Sequence, residues 1–308
     1  MKEYPMTFDE FNVRFATEEQ CREYLYKLRW PNGFACPKCG SIKSWPRGDS
    51  LYECGDCGRQ TSVIAGTIFQ GTRKPLKTWF NAIWWVTTQK SGASAMGLQQ
   101  ILGLKSYTTA WTWMHKIRTA MVSPNRTKLS GTVEVDECYI GGEEHGGKRG
   151  RGTENKSLVV IGVELHEGKN QLGRVRMKVV SDMSKESLHS FIKESIEPGS
   201  TIITDGWSSY ASINKSGYSH VIPKKFEVAD PNNTLPHVHM IISLLKRWLL
   251  GTHSGAVQGV HLQAYLDEYV FRFNRRKSAK RGLLFYRLLE NAMLVQPTTQ
   301  DELLGHNK

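Results

Sequence analysis

Four cysteines and two aspartates carry most of the chemistry this 308-residue sequence could perform. Cys36-Pro37-Lys38-Cys39-Gly40 and Cys54-Gly55-Asp56-Cys57-Gly58 are C-x2-C knuckles, each followed by glycine. Such a knuckle turns backbone amides toward its thiolates, and two knuckles supply the four sulfurs of one tetrahedral structural zinc site. The spacing suits metal better than disulfides in a reducing compartment. A different chemistry is offered by Thr132-Val133-Glu134-Val135-Asp136-Glu137-Cys138-Tyr139-Ile140-Gly141, a β-branched and aromatic run that Gly141-Gly142 stops. A carboxylate in a strand core is costly unless it is paired, hydrogen-bonded or metal-bound. Asp136 and its neighbours Glu134 and Glu137 therefore need a reason to be there. Thr201-Ile202-Ile203-Thr204-Asp205-Gly206 brings Asp205 to the end of a second apolar run, where α/β sheets carry their sites, although Asp-Gly is also an ordinary turn dipeptide. Two aspartates on adjacent strand ends could hold divalent metal. Apolar parity slips after Val135, so alternation leaves open which of Glu134, Asp136 and Glu137 faces the site.

The elements that position these groups follow from periodicity and caps. Residues 1–30 read as N-terminal helices starting near Thr7 and Thr17, the second with capping-box spacing to Gln20. Residues 31–70 read as a zinc ribbon, with a strand-turn-strand around Trp45-Pro46-Arg47-Gly48. Residues 71–125 read as helical. Ser94–Leu102, a Gly103-Leu104 turn and a longer helix from Ser106 give a helix-turn-helix pattern that would offer Tyr107, Thr108, Thr109, Thr112 and Lys116 to a DNA groove. A hairpin that merely packs the ribbon onto the next domain fits the same pattern. Pro124-Asn125-Arg126 marks a boundary. The Asp136 strand follows, then a basic glycine-rich loop with Lys148, Arg149 and Arg151, then strands at 157–165 and 174–180, a helix capped by Ser184, and the Asp205 strand. Three meander strands, a helix and a fourth strand are the order of a ribonuclease-H-like mixed sheet. The expected class is thus α+β/α/β multidomain, with a catalytic domain over 126–294 that includes a C-terminal basic helix, and a tail over 295–308. That helical segment, from about Val260, carries Arg272, Arg275 and Arg276 and could grip phosphate.

A formal net charge of +12 makes a polyanion the expected partner class. No run approaches the roughly twenty apolar residues of a membrane span, and Met1–Pro5 lacks a signal-peptide core. No membrane partner is expected, and a cytoplasmic location is.

Pro236 suits the first turn of a helix from His237 to about Leu250. His239, Ile242 and Lys246 share one face of it, which singles out His239 over His237. A lone helix histidine is, on composition grounds, more often a packed or surface residue than a ligand. Taken together, Val135-Asp136-Glu137 with Tyr139–Gly142, Thr204-Asp205-Gly206, His239 through Lys246-Arg247 with Gly251-Thr252-His253, and His261–Glu268 with Arg272-Phe273-Asn274-Arg275-Arg276 resemble a known family. The chain resembles the bacterial insertion-sequence transposases of the family numbered fifteen ninety-five, relatives of the Merlin transposases, and the ribbon matches too. The resemblance departs at position 239, where most of this class has glutamate, although histidine subgroups exist.

The resemblance implies Asp136 and Asp205 as metal ligands, His239 as the third active-site residue and Lys246, beside Arg247, as a DNA contact. It implies two catalytic Mg²⁺ or Mn²⁺ ions besides the one zinc, and double-stranded DNA, both element ends and target, as partner. It further implies a homodimer or larger synaptic assembly and a nucleoid-associated location. An inactive DNA-binding regulator and a ribonuclease-H-like nuclease are the competing functions.

Overall fold

The computed structural model describes residues 3–48, 50–141, 156–166, 171–224, 230–255, 257 and 259–305. The chain divides into two compact units, Met1–Pro124 with Ser278–Lys308, and Asn125–Lys277. Among the described residues, no helix is long and apolar enough to cross a membrane.

The first unit opens with α1 (Phe8–Arg14), capped by Thr7, and α2 (Glu18–Arg29), whose Thr17 and Gln20 form the expected capping box. A three-stranded antiparallel ribbon follows, β1 (Ser44–Arg47), β2 (Leu51–Cys54) and β3 (Gln60–Ser62). Next come α3 (Leu76–Thr88), α4 (Ala95–Leu102) and α5 (Tyr107–Met121). Gly103 ends α4 at φ 60°, a left-handed cap that glycine adopts without a Cβ penalty. Phe11, Phe15, Phe80, Trp84 and Phe285 form an aromatic core with neighbouring centroids 4.7–5.7 Å apart. Phe285 lies on α9 (Arg281–Ala292), and α10 (Gln300–Leu304) closes the unit.

The second unit is a five-stranded mixed sheet in the order β6-β5-β4-β7-β8. β4 (Thr132–Ile140), β5 (Ser157–His166) and β6 (Gln171–Val180) form the expected antiparallel meander, whereas β7 (Thr201–Ile203) and β8 (Ser219–Val221) run parallel to β4. β-Branched runs suit strands buried on both faces. Val133, Val135 and Val160 pack against α6 (Lys185–Ser195) through Leu188, Phe191 and Ile192. Val159, Ile161, Val163 and Met177 face α7 (Pro236–His253) and α8 (Leu262–Asn274).

β6 is an edge strand whose unpaired backbone would template further pairing. Side chains of α8 occupy that edge. Gln263 Oε1 accepts from the Val179 amide at 2.9 Å, while Asn274 Oδ1 accepts from the Val175 amide at 2.8 Å and its Nδ2 donates back to the Val175 carbonyl at 3.1 Å.

The helical tail expected as one segment is divided. α8 belongs to the sheet unit, and α9 rejoins the first unit by burying Leu284, Phe285, Leu288 and Leu289. The sheet unit therefore ends at Lys277, ahead of the boundary expected at 294.

Candidate active site and zinc ribbon

Each knuckle turns on a glycine in the left-handed region, Gly40 at φ 74° and Gly58 at φ 68°, whose amides reach the carbonyls of Cys36 and Cys54 at 2.9 and 3.0 Å. The Sγ atoms of Cys36, Cys39, Cys54 and Cys57 all lie within 4.8 Å of one another, with contacts of 3.7 Å (Cys36–Cys57) and 3.5 Å (Cys39–Cys54). Sulfurs around a tetrahedral zinc with bonds of about 2.3 Å stand about 3.8 Å apart. The amide of Cys57, aimed at Cys54, does most to pull that thiol down to about 6. Four thiolates so placed fit one structural zinc, and Cys21 lies apart, buried in α2 with its thiol pushed up to about 12 by burial.

In the sheet unit, β4 sends Glu134, Asp136 and Cys138 toward α7, and Val133, Val135 and Glu137 toward α6. Glu137 thus faces away from Asp136 and accepts from the Tyr210 hydroxyl at 2.6 Å. Burial pushes the Glu137 carboxyl up to about 7, against the Tyr210 bond that favours its charge. Glu134 is 3 % exposed, and its carboxylate accepts from the amides of His237 and Val238 at 2.9 and 2.8 Å and from His237 Nδ1 at 2.6 Å. Leu235 at the N-cap of α7 has no side-chain oxygen to offer, so a glutamate on the sheet does the capping.

This clamp sets His239 over the strand. Its Nε2 lies 3.1 Å from Asp136 Oδ2, and its Nδ1 donates to Asn233 Oδ1 at 2.6 Å. With Nδ1 donating to Asn233, Nε2 is the ring nitrogen turned to the Asp136 carboxylate, within hydrogen-bond distance of it and available to a cation once it carries no proton. Two ligand atoms at right angles on an ion with bonds of about 2.1 Å lie about 3.0 Å apart, so Asp136 and His239 fit a shared cation. Burial raises the Asp136 carboxyl, and the charge of Asp205 adds to that, while the amide of Glu137 and His239 oppose it.

Asp205 follows β7, whose register with β4 pairs Ile203 with Glu134. Two residues further on, each strand carries its aspartate. The Asp205 side chain is exposed, and Oδ1 accepts from the Trp207 amide at 2.9 Å. Among the described residues, only the four cysteines form a group of three or more ligand atoms within 4.8 Å, so Asp205 stands outside the contact that joins Asp136 to His239. Lys246 is exposed on α7, and its charge reaches Cys138, whose thiol is nevertheless pushed up to about 12 by burial. Arg247 is exposed beside it.

Several expected DNA contacts are placed otherwise. α5 is a buried central helix. Thr112 is 4 % exposed and cannot enter a groove as the helix-turn-helix pattern required, and Lys116 is half-buried, its pKa lowered by that burial. Tyr107 in the first turn is exposed, and Thr108 is half-buried like Lys116. Arg272 ion-pairs at 2.7 Å with Glu268, which is fully buried. Arg275 and Arg276 lie over the rings of Phe271 and Phe273 at 4.1 and 4.0 Å, and Arg276 also donates to the carbonyls of Leu172 and Gly173. These arginines hold α8 and the sheet edge. Lys148, Arg149 and Arg151 lie outside the described residues.

Sequence reasoning missed Glu134's capping role, His237 and Asn233. The two-residue spacing of Glu134 and Asp136 was a usable signal, but nothing in the 230–234 turn pointed to Asn233.

Residues 128–274 match the sequence model of the ISXO2-like transposase domain, and residues 16–60 match that of the transposase zinc-ribbon domain, both defined for IS1595. A relative described as an uncharacterized protein in transposable element ISH50 of Halobacterium salinarum is 26 % identical over 313 residues, covering 91 % of this chain and 98 % of that protein.

Proposed function

We propose that this chain, whose residues 128–274 and 16–60 match the IS1595 transposase and zinc-ribbon domain models, is a working insertion-sequence transposase of that family with an Asp-Asp-His site. In this reading it binds the terminal inverted repeats of its element, cleaves a phosphodiester at the end and joins the freed 3′-hydroxyl to target DNA. The order β6-β5-β4-β7-β8, with Asp136 on the central strand and Asp205 just past the end of its neighbour, supports a ribonuclease-H-like catalytic domain.

The observation that carries the reading is the 3.1 Å approach of His239 Nε2 to Asp136 Oδ2 with Nδ1 committed to Asn233. A histidine that had merely drifted into a dead site would have no reason to be held at both nitrogens. Asp136 and His239 would bind one divalent ion between them, with Asp205 as the further carboxylate ligand. Paired Mg²⁺ or Mn²⁺ ions, when bound, supply Lewis acidity and an activated oxygen nucleophile. Lys246, two turns along the same face as His239, would hold the scissile phosphate by charge. Two or more copies would assemble on paired ends.

The test is cleavage of labelled DNA carrying the element's flanking repeats, with Mn²⁺ or Mg²⁺, by wild type, Asp136→Ala and His239→Ala. Ends and joined products from wild type alone support the transposase. Binding without cleavage by wild type would favour a regulator, and nicking without joining a nuclease.

A further inference from the structure

The face of the sheet opposite the candidate active site carries a cavity of about 670 Å³ lined by Lys128, Lys185, Glu186, His189, Ser190, Lys193 and Glu194. α6 supplies all but Lys128. Lys178 reaches in from β6 to pair with Glu194 at 2.5 Å, and Arg126 lies close enough to lower the Glu194 pKa. Five cations thus meet two carboxylates, one of which is already neutralised. Lys128 Nζ donates to the Lys193 carbonyl at 2.6 Å, which holds its charge at the rim.

His189 sits beneath these lysines with 7 % exposure. One side of its ring is engaged by the Ser209 backbone, and its buried Nε2 has no hydrogen-bond partner. Burial and then the charges of Lys185 and Lys193 depress its pKa. A buried polar nitrogen without a partner is a standing cost, and here nearby positive charge adds to it. An oxyanion would balance the lysines, and its negative charge would favour the imidazolium, whose Nε2–H would then donate to it.

We propose that this α6 surface binds the sugar-phosphate backbone of duplex DNA, with a phosphate oxygen lodged over His189. The proposal rests on the transposase reading for its ligand, since backbone phosphate is the anion that such a protein meets at high local density. It adds a DNA-binding face on the far side of the sheet from Asp136. Phosphate contacts of this kind position DNA without reading sequence.

The test uses the full chain with zinc bound and a fluorescent duplex lacking element ends, titrated by anisotropy across a salt series. Removing one lysine–phosphate interaction should lower the slope of log affinity against log salt by about 0.9. For Lys128→Gln/Lys185→Gln/Lys193→Gln the expected result is a slope shallower by about 2–3 and a corresponding fall in affinity. An unchanged slope in that variant, with wild type binding normally, overturns this surface while leaving the transposase reading intact. Failure of wild type to bind any duplex at low salt overturns both. A measurement free of folding concerns is the His189 ring resonance in wild type. A shift on adding duplex that survives in Asp136→Asn supports the proposal, and no shift at saturating DNA overturns it.

Discussion

The Glu134 carboxylate on β4 receives His237 Nδ1 at 2.6 Å and the two first-turn amides of α7, two residues before the same strand presents Asp136 to His239. One strand therefore holds both the aspartate and the helix that brings the histidine to it. Glu134→Gln keeps the volume but points an amide donor at donors that need an acceptor. We expect a loss of about 2–3 kcal/mol of stability together with at least tenfold weaker cleavage. Denaturant midpoints and cleavage rates measured on the same preparations check this, and wild-type cleavage by the folded variant would show that α7 needs no clamp.

Asn233 acts on the same histidine from its other side, fixing which nitrogen keeps the proton. Outer partners of metal-binding histidines are typically worth about 10–100-fold in metal affinity. Asn233→Ala should raise the Mn²⁺ concentration needed for half-saturation by that factor, with much less effect at saturating metal. Mn²⁺ binding followed by electron paramagnetic resonance, without DNA, reads it directly. Equal affinities would assign Asn233 to the loop alone.

Imidazole in place of the carboxylate most of the class carries removes one negative charge and favours borderline metals over Mg²⁺. Wild type should therefore cleave at lower Mn²⁺ than Mg²⁺, and His239→Glu should narrow the gap. Parallel titrations of both ions give the answer, and Mg²⁺ working at equal or lower concentration in wild type would count against the ligand role of His239.

The parts of this protein legible in its sequence were those written locally. Thr17 and Gln20 announce their capping box three residues apart, and each cysteine knuckle is complete within five residues. The Asp136 strand was legible as a strand, yet the sorting of Glu134 and Asp136 to one face and Glu137 to the other depends on α7 and Tyr210, which come from far along the chain. The same limit explains α5. Its polar residues suggested a groove-reading face, but α9, more than 150 residues downstream, returns to help bury that helix. Arg272 looked like a phosphate contact because its partner Glu268 gives no sequence sign of being fully buried.

The burial of α5 gives its own prediction. Thr112 Oγ1 is buried without a hydrogen-bond partner, so a valine of the same shape removes an unsatisfied polar group. Thr112→Val should leave DNA affinity unchanged and raise the melting temperature by a few degrees, about 1 kcal/mol at most. A clear fall in affinity without loss of stability would restore Thr112 as a DNA contact.

Acid should loosen the sheet unit through Glu164, at the far end of β5. Burial acts to raise its carboxyl, but Arg174, donating at 2.7 and 2.9 Å, and the amides of Ser130 and Arg174 outweigh burial and hold it at about 2. The folded value lies below the ordinary 4.5 of the unfolded chain, so the charged form is the one that stabilises. That stabilisation is complete above about pH 4.5 and drains away as the pH falls toward 2. Urea midpoints followed from pH 6 down to 3 should fall more steeply for wild type than for Glu164→Gln, which starts less stable and has no charge to lose. Parallel curves would mean that the Arg174–Glu164 pair contributes nothing the unfolded chain lacks.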